Sequence, residues 1–335
     1  MKNKLLLLIL LIFGISSCAQ KAKERVVVAY VTAWKTESIP DPTYITHINY
    51  AFGHVNETFD GVRISNEDRL RQIVELKKKK PSLKVLLSIG GWGSGRFSEM
   101  ADSAEYRRAF ASDCKRVIDE FNLDGIDIDW EYPTSSVAKI SSSPRDTENF
   151  TLMMGDIRHA IGKKKLLTLA SDAMALYTDF KNICPYVNFV NIMTYDIAET
   201  PFHHSALFCS EMTNGISCET SINAHVQKGM PIERLVLGIP FFGYTTPELN
   251  NRLNYGSIKE LTGYTRQWDN IAKAPYLVDS LGNVVCNYED EESIRIKCKH
   301  LNDLGLMGAM YWEYDGDDAE GTMRKAVYEG VFEKE

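Results

Sequence analysis

Short apolar runs rich in β-branched residues recur along the chain and alternate with amphipathic segments. Near-continuous apolar strands separated by helical stretches are typical of a parallel sheet covered by helices. Eight such units in one chain predict an α/β fold, namely a closed (β/α)8 TIM barrel. The predicted strands are 26–32, 45–52, 83–89, 125–131, 166–170, 187–194, 235–240 and 308–312, and the clearest helical segments are 66–80, 104–121, 146–161 and 290–304.

One interval interrupts this alternation. Between the seventh predicted strand and the helical segment at Asp290, roughly fifty residues rich in Tyr, Asn and Gly exceed the length of an ordinary βα loop. Two short apolar runs, 276–278 and 284–286, flank a segment with Gly282 and Asn283, which indicates a hairpin. The sequence therefore predicts a small β-rich (α+β) insertion subdomain at 243–289, on the barrel face where the strands end.

Composition and charge limit the classes of function. The 335 residues are 44% hydrophobic and 25% charged, which fits one globular chain with a large core. The net charge is −7 and the main basic run is 77–80, so nucleic acid is excluded as a partner. No GxGxxG or HExxH motif is present, and the adjacent His203 and His204 would point in different directions. We expect a monomer without metal or cofactor.

The first residues have the pattern of an export signal. Lys2 and Lys4 precede an apolar stretch, 5–13, that is too short to span a bilayer as a mature helix, and small residues then lead to Cys18. This pattern resembles a bacterial lipoprotein signal, which implies removal of 1–17 and lipidation of Cys18. The mature chain, 18–335, would be an exported lipoprotein, periplasmic or at the cell surface, that touches a membrane only through this anchor. A plain secretory signal or an uncleaved anchor is the alternative.

Six further cysteines could form disulfides in an oxidising compartment. Cys209 and Cys218 could close a short loop, but the sequence does not select one pairing among the many possible. The six are Cys114, Cys184, Cys209, Cys218, Cys286 and Cys298.

The strand predicted at 125–131 carries three carboxylates on one face. Because side chains alternate along a strand, Asp127, Asp129 and Glu131 would point into the barrel while the apolar residues between them face the helices. Like charges at close range raise one another's pKa, so the last acid can hold a proton near neutral pH for a leaving group. Carboxylates at this spacing could instead belong to a calcium-binding loop, but EF-hand spacing is absent.

The stretch 124–131, DGIDIDWE, resembles the DxxDxDxE signature of glycoside hydrolase family 18, the chitinases and their relatives. Other segments resemble the strands of this family in the same order, from about Val26 to Asp315, and the insertion resembles that of the chitinase branch. These segments are Tyr30 with Trp34, 49–52, 86–92, 192–196, 308–313, and in the insertion 268–269 and 272–276.

The resemblance implies retaining, substrate-assisted hydrolysis of β-1,4-linked N-acetylglucosamine polymers or oligomers, as in chitin. Glu131 would protonate the glycosidic oxygen, and the 2-acetamido oxygen of the substrate would attack the anomeric carbon. Asp129 would bind the acetamide N–H and share a proton with Asp127. Tyr195 would hydrogen-bond the acetamide carbonyl.

The resemblance also implies a set of substrate-binding residues. Trp312 would form the floor under the distorted sugar. Asp124, at the start of the strand, would have a structural role, and for Trp92 and Trp34 sugar stacking and plain packing remain open. The full implied binding set is Trp312, Met193, Asp196, Ser88 (which supports Asp127), Tyr30, Phe52 and Trp92.

The chain departs from the family pattern near the cleft. Tyr244 stands where an arginine is common, and Ile197 and Ala198 replace a frequent Gly-Trp pair. The number of bound sugars, and hence exo versus endo action, therefore stays open. Two other functions compete: an endo-β-N-acetylglucosaminidase on N-glycans or cell wall, and a non-catalytic chitin-binding lectin, which usually lacks the acid that Glu131 supplies here.

Overall fold

The computed structural model describes residues 25–333, and Cys18 with the predicted signal lies outside the described residues. Eight parallel strands close into a barrel in the order β1, β2, β4, β5, β6, β7, β8, β14, with β14 pairing back onto β1. The predicted (β/α)8 barrel is confirmed. In chain order the strands are β1 (Val26–Thr32), β2 (His47–Val55), β3 (Val62–Ile64), β4 (Lys84–Gly90), β5 (Gly125–Asp129), β6 (Leu166–Ser171), β7 (Phe189–Ile192), β8 (Leu235–Pro240), β9 (Phe242–Thr245), β10 (Arg252–Asn254), β11 (Thr265–Asp269), β12 (Ala274–Val278), β13 (Val284–Asn287) and β14 (Gly308–Trp312).

Helices connect the strands, and polar caps mark where α1, α3 and α8 begin. Asn66 accepts from the backbone N–H of Arg69, Ser103 from that of Tyr106, and Asp290 forms a capping box with Ser293. The helices are α1 (Glu67–Lys79), α2 (Phe97–Asp102), α3 (Ala104–Phe121), α4 (Asp146–Ile161), α5 (Phe180–Ile183), α6 (Cys218–Gln227), α7 (Tyr255–Lys259), α8 (Glu291–Leu304) and α9 (Thr322–Phe332).

Alternate residues of each barrel strand face the interior and the helices. On β1, Val28 and Tyr30 pack inside the barrel, whereas Val27 and Ala29 pack against the helical layer. On β5 the helix-facing positions are Ile126 and Ile128. The inward positions of β5 are left to carboxylates, and this places charged groups in the centre of the fold.

The insertion is a separate antiparallel sheet of five strands in the order β10, β9, β13, β12, β11. Only Phe241 separates barrel strand β8 from β9, so the chain passes directly from the barrel wall into this sheet. Strands β12 and β13 form the predicted hairpin, and α7 lies between β10 and β11. The short β3 pairs antiparallel with β2.

Two further sequence expectations bear on the chain outside the barrel. All six cysteines among residues 25–333 are free thiols, so a Cys209–Cys218 disulfide is wrong: Cys218 is buried at the start of α6 whereas Cys209 is exposed. Within the same described range no helix is long and apolar enough to cross a bilayer.

Candidate active site

Asp127 is fully buried at the centre of the barrel, where four donors from four strands surround its carboxylate. Oδ2 accepts hydrogen bonds from Tyr30 (2.9 Å) and Ser88 (2.8 Å), and Oδ1 accepts from Thr168 (2.5 Å) and the Asn191 amide (3.2 Å). Burial raises the pKa of Asp127, and the four hydrogen bonds oppose that rise. The donors therefore favour a negative charge at a site that water does not reach.

Asp129 lies two residues further along β5, on the same face of the strand, and its environment differs from that of Asp127. It is 4% exposed, and its Oδ1 has no hydrogen-bond partner among the described residues. Burial, together with the charges of Glu131 and Asp127, raises the pKa of Asp129 well above its ordinary value. Of the two aspartates, Asp129 is therefore the one that more readily holds a proton, because Asp127 has the four donors.

Glu131 follows the end of β5 instead of lying within it, so the strand predicted at 125–131 is two residues too long. The side chain still lines the same cleft as Asp129. Burial raises the pKa of Glu131 to about 7, a hydrogen bond with Tyr132 opposes that rise, and the charge of Asp196 adds to it. The row of acids thus ends in a carboxyl that is half protonated near neutral pH.

The end of β7 forms a second wall of the cleft with Met193, Tyr195 and Asp196. The buried Tyr195 hydroxyl has Met310 Sδ at 3.8 Å as its partner and not the adjacent Asp196. Asp196 has φ +56° and instead accepts a 3.0 Å hydrogen bond from the hydroxyl of Tyr244. Because sulfur is a weak acceptor, the Tyr195 O–H remains available to a stronger one.

Aromatic rings form the floor of the cleft. Trp312 stacks on Phe52 with ring centroids 5.6 Å apart and an interplanar angle of 20°, and Tyr30 lies 5.7 Å away. Trp34 is 56% exposed at 6.5 Å from Trp312. Trp312 is only partly buried and lines the cleft, which is the geometry of a sugar-stacking platform more than of barrel core.

The predicted residues converge on one cleft of about 780 Å³. Ser88 and Asp127 lie beneath it and support Asp129 and Tyr30, while the other predicted site residues line it. Trp92 is 62% exposed at the rim, against Tyr132. The lining residues are Tyr30, Trp34, Phe52, His54, Ser65, Gly91, Trp92, Asp129, Glu131, Tyr132, Val137, Ala170, Met193, Tyr195, Asp196, Tyr244, Arg252 and Trp312.

Sequence reasoning missed several of these residues. Thr168 and Asn191 are polar residues within the mainly apolar strands β6 and β7, and this break in the apolar pattern was the available indication. Tyr132 and Arg252 reach the cleft only through the fold of a loop and of the insertion, and no pattern in the sequence indicates their position there.

Asp124 and the histidine pair lie outside the chemistry. Asp124 accepts the backbone N–H of Val85 and pairs with Lys77 at 2.9 Å, at the opposite end of β5. His203 faces Asp269, whereas His204 packs against the rings of Phe242 and Tyr244. No group of three His, Cys, Asp or Glu residues within 25–333 has the arrangement of a metal site.

A family model described as Glycosyl hydrolases family 18 matches residues 26–317. The chain belongs to this family. The match covers the whole barrel with the insertion, and it confirms the family and the class of enzyme predicted from the sequence, a glycoside hydrolase. The carboxylate row on β5 and the aromatic floor on β14 both fall within it.

Characterised relatives include chitinases from distant organisms. Chitinase A1 of Niallia circulans is 29% identical over 89% of this chain, but the match spans only 57% of that relative's own length. Chitotriosidase-1 of Mus musculus is 30% identical over 88% of this chain and 74% of its own.

Solved structures show the same architecture. A family 18 N-acetylglucosaminidase from Paenibacillus barengoltzii superposes with a TM-score of 0.84 at 34% identity, covering 92% of this chain and all of that one. A class V chitinase from Nicotiana tobaccum, solved with the ligand NAG4, gives a TM-score of 0.81 at 25% identity over 92% of this chain and 99% of its own.

Proposed function

We propose that this protein hydrolyses β-1,4-linked N-acetylglucosamine oligomers or polymers, with retention of configuration and with the substrate's acetamide as the nucleophile. The observation that carries the proposal is the contrast between the two aspartates on β5. One is anchored by four donors, and the other presents a carboxyl oxygen without a partner. An acetamide N–H is the group that this oxygen lacks.

Glu131 is the proton donor. With a pKa of about 7, Glu131 is substantially protonated at neutral pH, and it is acidic enough to transfer that proton to the glycosidic oxygen. As the bond between the anomeric carbon and this oxygen breaks, positive charge develops on the sugar ring. The nearby carboxylates stabilise that charge.

The acetamide of the substrate then closes onto the anomeric carbon. Its carbonyl oxygen forms the new bond and gives an oxazolinium ring, so no protein atom becomes covalently attached. Asp129 accepts a hydrogen bond from the acetamide N–H, which becomes more acidic as the oxazolinium ring closes. The charge on Asp129 depends on the proton that it shares with Asp127. The O–H of Tyr195 points the carbonyl oxygen at the carbon that it attacks.

Trp312 holds the reacting sugar from below. A flat indole stacked on Phe52 offers an apolar face for the sugar ring, while Met193 closes the side of the acetamide pocket. Water then enters on the side that the leaving group vacated. Glu131, now ionised, takes a proton from this water as the water oxygen bonds to the anomeric carbon. The bond between that carbon and the acetamide oxygen breaks, which opens the oxazolinium ring and restores the original configuration.

Product analysis of the wild type and Glu131→Gln, side by side, tests this proposal. The substrates are chito-oligosaccharides and an N-glycan with a chitobiose core. We expect the wild type to shorten the chito-oligosaccharides, and Glu131→Gln to bind them but turn over at least about a hundredfold more slowly, the usual contribution of a general acid. Product lengths separate release of single sugars from release of longer units.

Two outcomes would contradict the proposal. Cleavage of the N-glycan alone would replace it with an endoglycosidase, and binding of oligomers without cleavage by the wild type would replace it with a lectin. The N-acetylglucosaminidase from Paenibacillus barengoltzii and the chitinases among the relatives are consistent with the substrate class proposed here.

A further inference from the structure

The insertion sheet delivers a cation to the cleft. Arg252 is the first residue of β10 and lies opposite Tyr244 in the antiparallel pairing of β10 with β9. Its guanidinium carbon lies 3.5 Å from the centroid of the Phe242 ring, and Phe242 in turn packs edge-on against Tyr195 at 6.0 Å. Stacking on an aromatic face restricts a guanidinium that would otherwise be free to turn. Arg252 is thereby held beside the acetamide pocket.

The charge of Arg252 opposes the rise in the pKa of Asp196 that burial causes, but the two side chains form no ion pair. No carboxylate lies within ion-pair distance of Arg252 among the described residues, and no side-chain hydrogen bond of Arg252 is formed there. The Oδ1 atom of Asp196 accepts a hydrogen bond from the hydroxyl of Tyr244. Arginine carries five N–H donors in a fixed plane, and Arg252 lines the cleft, so it can donate hydrogen bonds to a ligand bound there.

The rest of the cleft sets the kind of acceptor that fits. Arg252 is the single lysine or arginine among the described lining residues, which also include Asp129, Glu131 and Asp196. An anionic substituent would gain from the guanidinium but would be repelled by these carboxylates. Hydroxyl and carbonyl oxygens accept hydrogen bonds without that repulsion.

We propose that Arg252 is a substrate-binding residue that donates hydrogen bonds to the oxygen atoms of a neutral N-acetylglucosamine unit bound next to the unit in the acetamide pocket. The inference rests on the proposed function and adds a neighbouring subsite to it. Arg252 contacts the sugar beside the reacting one and leaves the reacting groups alone.

Binding measurements in the Glu131→Gln background test the proposal, because this variant holds substrate without consuming it. We compare Glu131→Gln with Glu131→Gln plus Arg252→Gln, using two probes. A chitotetraose spans several subsites, and a monosaccharide thiazoline of N-acetylglucosamine fills the acetamide pocket alone. The matched control is Arg295→Gln, on the exposed surface of α8, where Arg295 pairs with Glu291.

We expect Arg252→Gln to weaken tetrasaccharide binding by about tenfold or more, the effect of losing hydrogen bonds from a charged donor. Thiazoline binding should change by less than about twofold, because its pocket does not include this arginine. In the active enzyme the KM for the tetrasaccharide should rise while kcat stays nearly constant, as for a residue that binds ground state and transition state alike. Arg295→Gln should change none of these values.

Unchanged tetrasaccharide binding would overturn the inference, and so would equal weakening of both probes, since that places Arg252 at the acetamide pocket itself. A carboxylate-bearing oligomer provides a third test. If Arg252→Gln weakened only its binding, in a salt-dependent way, the site would be anionic and the neutral subsite wrong. Failure of Glu131→Gln to bind any oligomer would instead contradict the proposed function.

Discussion

The hydroxyl of Tyr30 on β1 donates a hydrogen bond of 2.9 Å to Oδ2 of Asp127 on β5, across the interior of the barrel. Ser88 donates to the same oxygen at 2.8 Å. The phenol also lies 5.7 Å, ring to ring, from Trp312, so one side chain links the buried carboxylate to the floor of the cleft. The charge state of Asp127 is therefore coupled to a residue that lines the cleft.

Tyr30→Phe tests this relationship. The hydrogen bond lowers the pKa of Asp127, so its removal raises that pKa, and Asp127 then takes up a proton at higher pH. If Asp127 must be ionised in the active form, the acidic limb of kcat/KM moves to higher pH and kcat falls by about tenfold. The measurement is a pH profile on a chito-oligosaccharide.

The control for this variant is Tyr311→Phe, because the buried Tyr311 hydroxyl has no hydrogen-bond partner among the described residues and lies outside the cleft. A profile for Tyr30→Phe that coincides with that of Tyr311→Phe would show that Asp127 does not control the acidic limb.

Asp196→Asn should change the opposite limb. Glu131 must be protonated to act as an acid, so activity falls as pH rises through its pKa, about 7. The negative charge of Asp196 contributes to that raised pKa, and removing it lowers the pKa. The basic limb of kcat/KM should therefore move to lower pH. Glu199→Gln, an exposed acid three residues further on, is the matched control and should leave the limb in place.

A buried ion pair behind β7 supports the acetamide pocket. Lys297 on α8 and Glu289 are 2.7 Å apart and at most 1% exposed, and Lys297 also donates to Ser205, whose hydroxyl holds the backbone oxygen of Thr194. Lys297→Met leaves Glu289 as an uncompensated buried charge, so we expect about 3–5 kcal/mol lower free energy of unfolding.

Denaturant unfolding checks this value, and the double variant Lys297→Met with Glu289→Leu should recover most of the loss because both charges are gone. Lys325→Met, which breaks an exposed pair with Glu329, should cost less than about 1 kcal/mol. Equal losses for the single and double variants would mean that packing, not charge, accounts for the effect.

Cys18→Ser addresses the predicted anchor. If Cys18 is lipidated, the wild-type chain expressed in a bacterium sediments with membranes and enters the detergent phase on partitioning, because acyl chains carry it there. The serine variant should appear in soluble fractions with unchanged activity per molecule, since the barrel begins at Val26. Membrane association that survives the substitution would point to an uncleaved anchor.

The barrel was predictable from the sequence because its strands are buried, and each buried strand is visible in the sequence as a short run of apolar residues. Strands β1, β8 and β14 begin and end where they were expected. The strand predicted at 125–131 is shorter because the chain turns after Asp129, and alternation along the chain continues even where pairing stops. Helices α5 and α7 have four and five residues, too few for a helical period to appear.

The residues of the candidate site also fall into those that a local sequence pattern predicts and those that it does not. Asp127, Asp129 and Glu131 were predictable because three acids alternating with apolar residues contradict an ordinary core. Arg252 was not, because its place in the cleft depends on a cross-strand pairing with Tyr244 that leaves no periodic trace in the sequence. Cys218 shows the reverse case, because a short spacing in the sequence allowed a pairing with Cys209 that is not formed.

The chain passes from β8 into β9 through the single residue Phe241, so the cleft is built from two layers that are joined at one point of the chain. The lower layer, built from barrel strands, holds the acids and fixes what reaction occurs. The upper layer, carried by the insertion, holds Tyr244 and Arg252, and in our proposal it binds the sugar unit next to the reacting one. We expect that exchange of 243–289 with the corresponding segment of a relative changes the length of the products, while Glu131 keeps its position after β5.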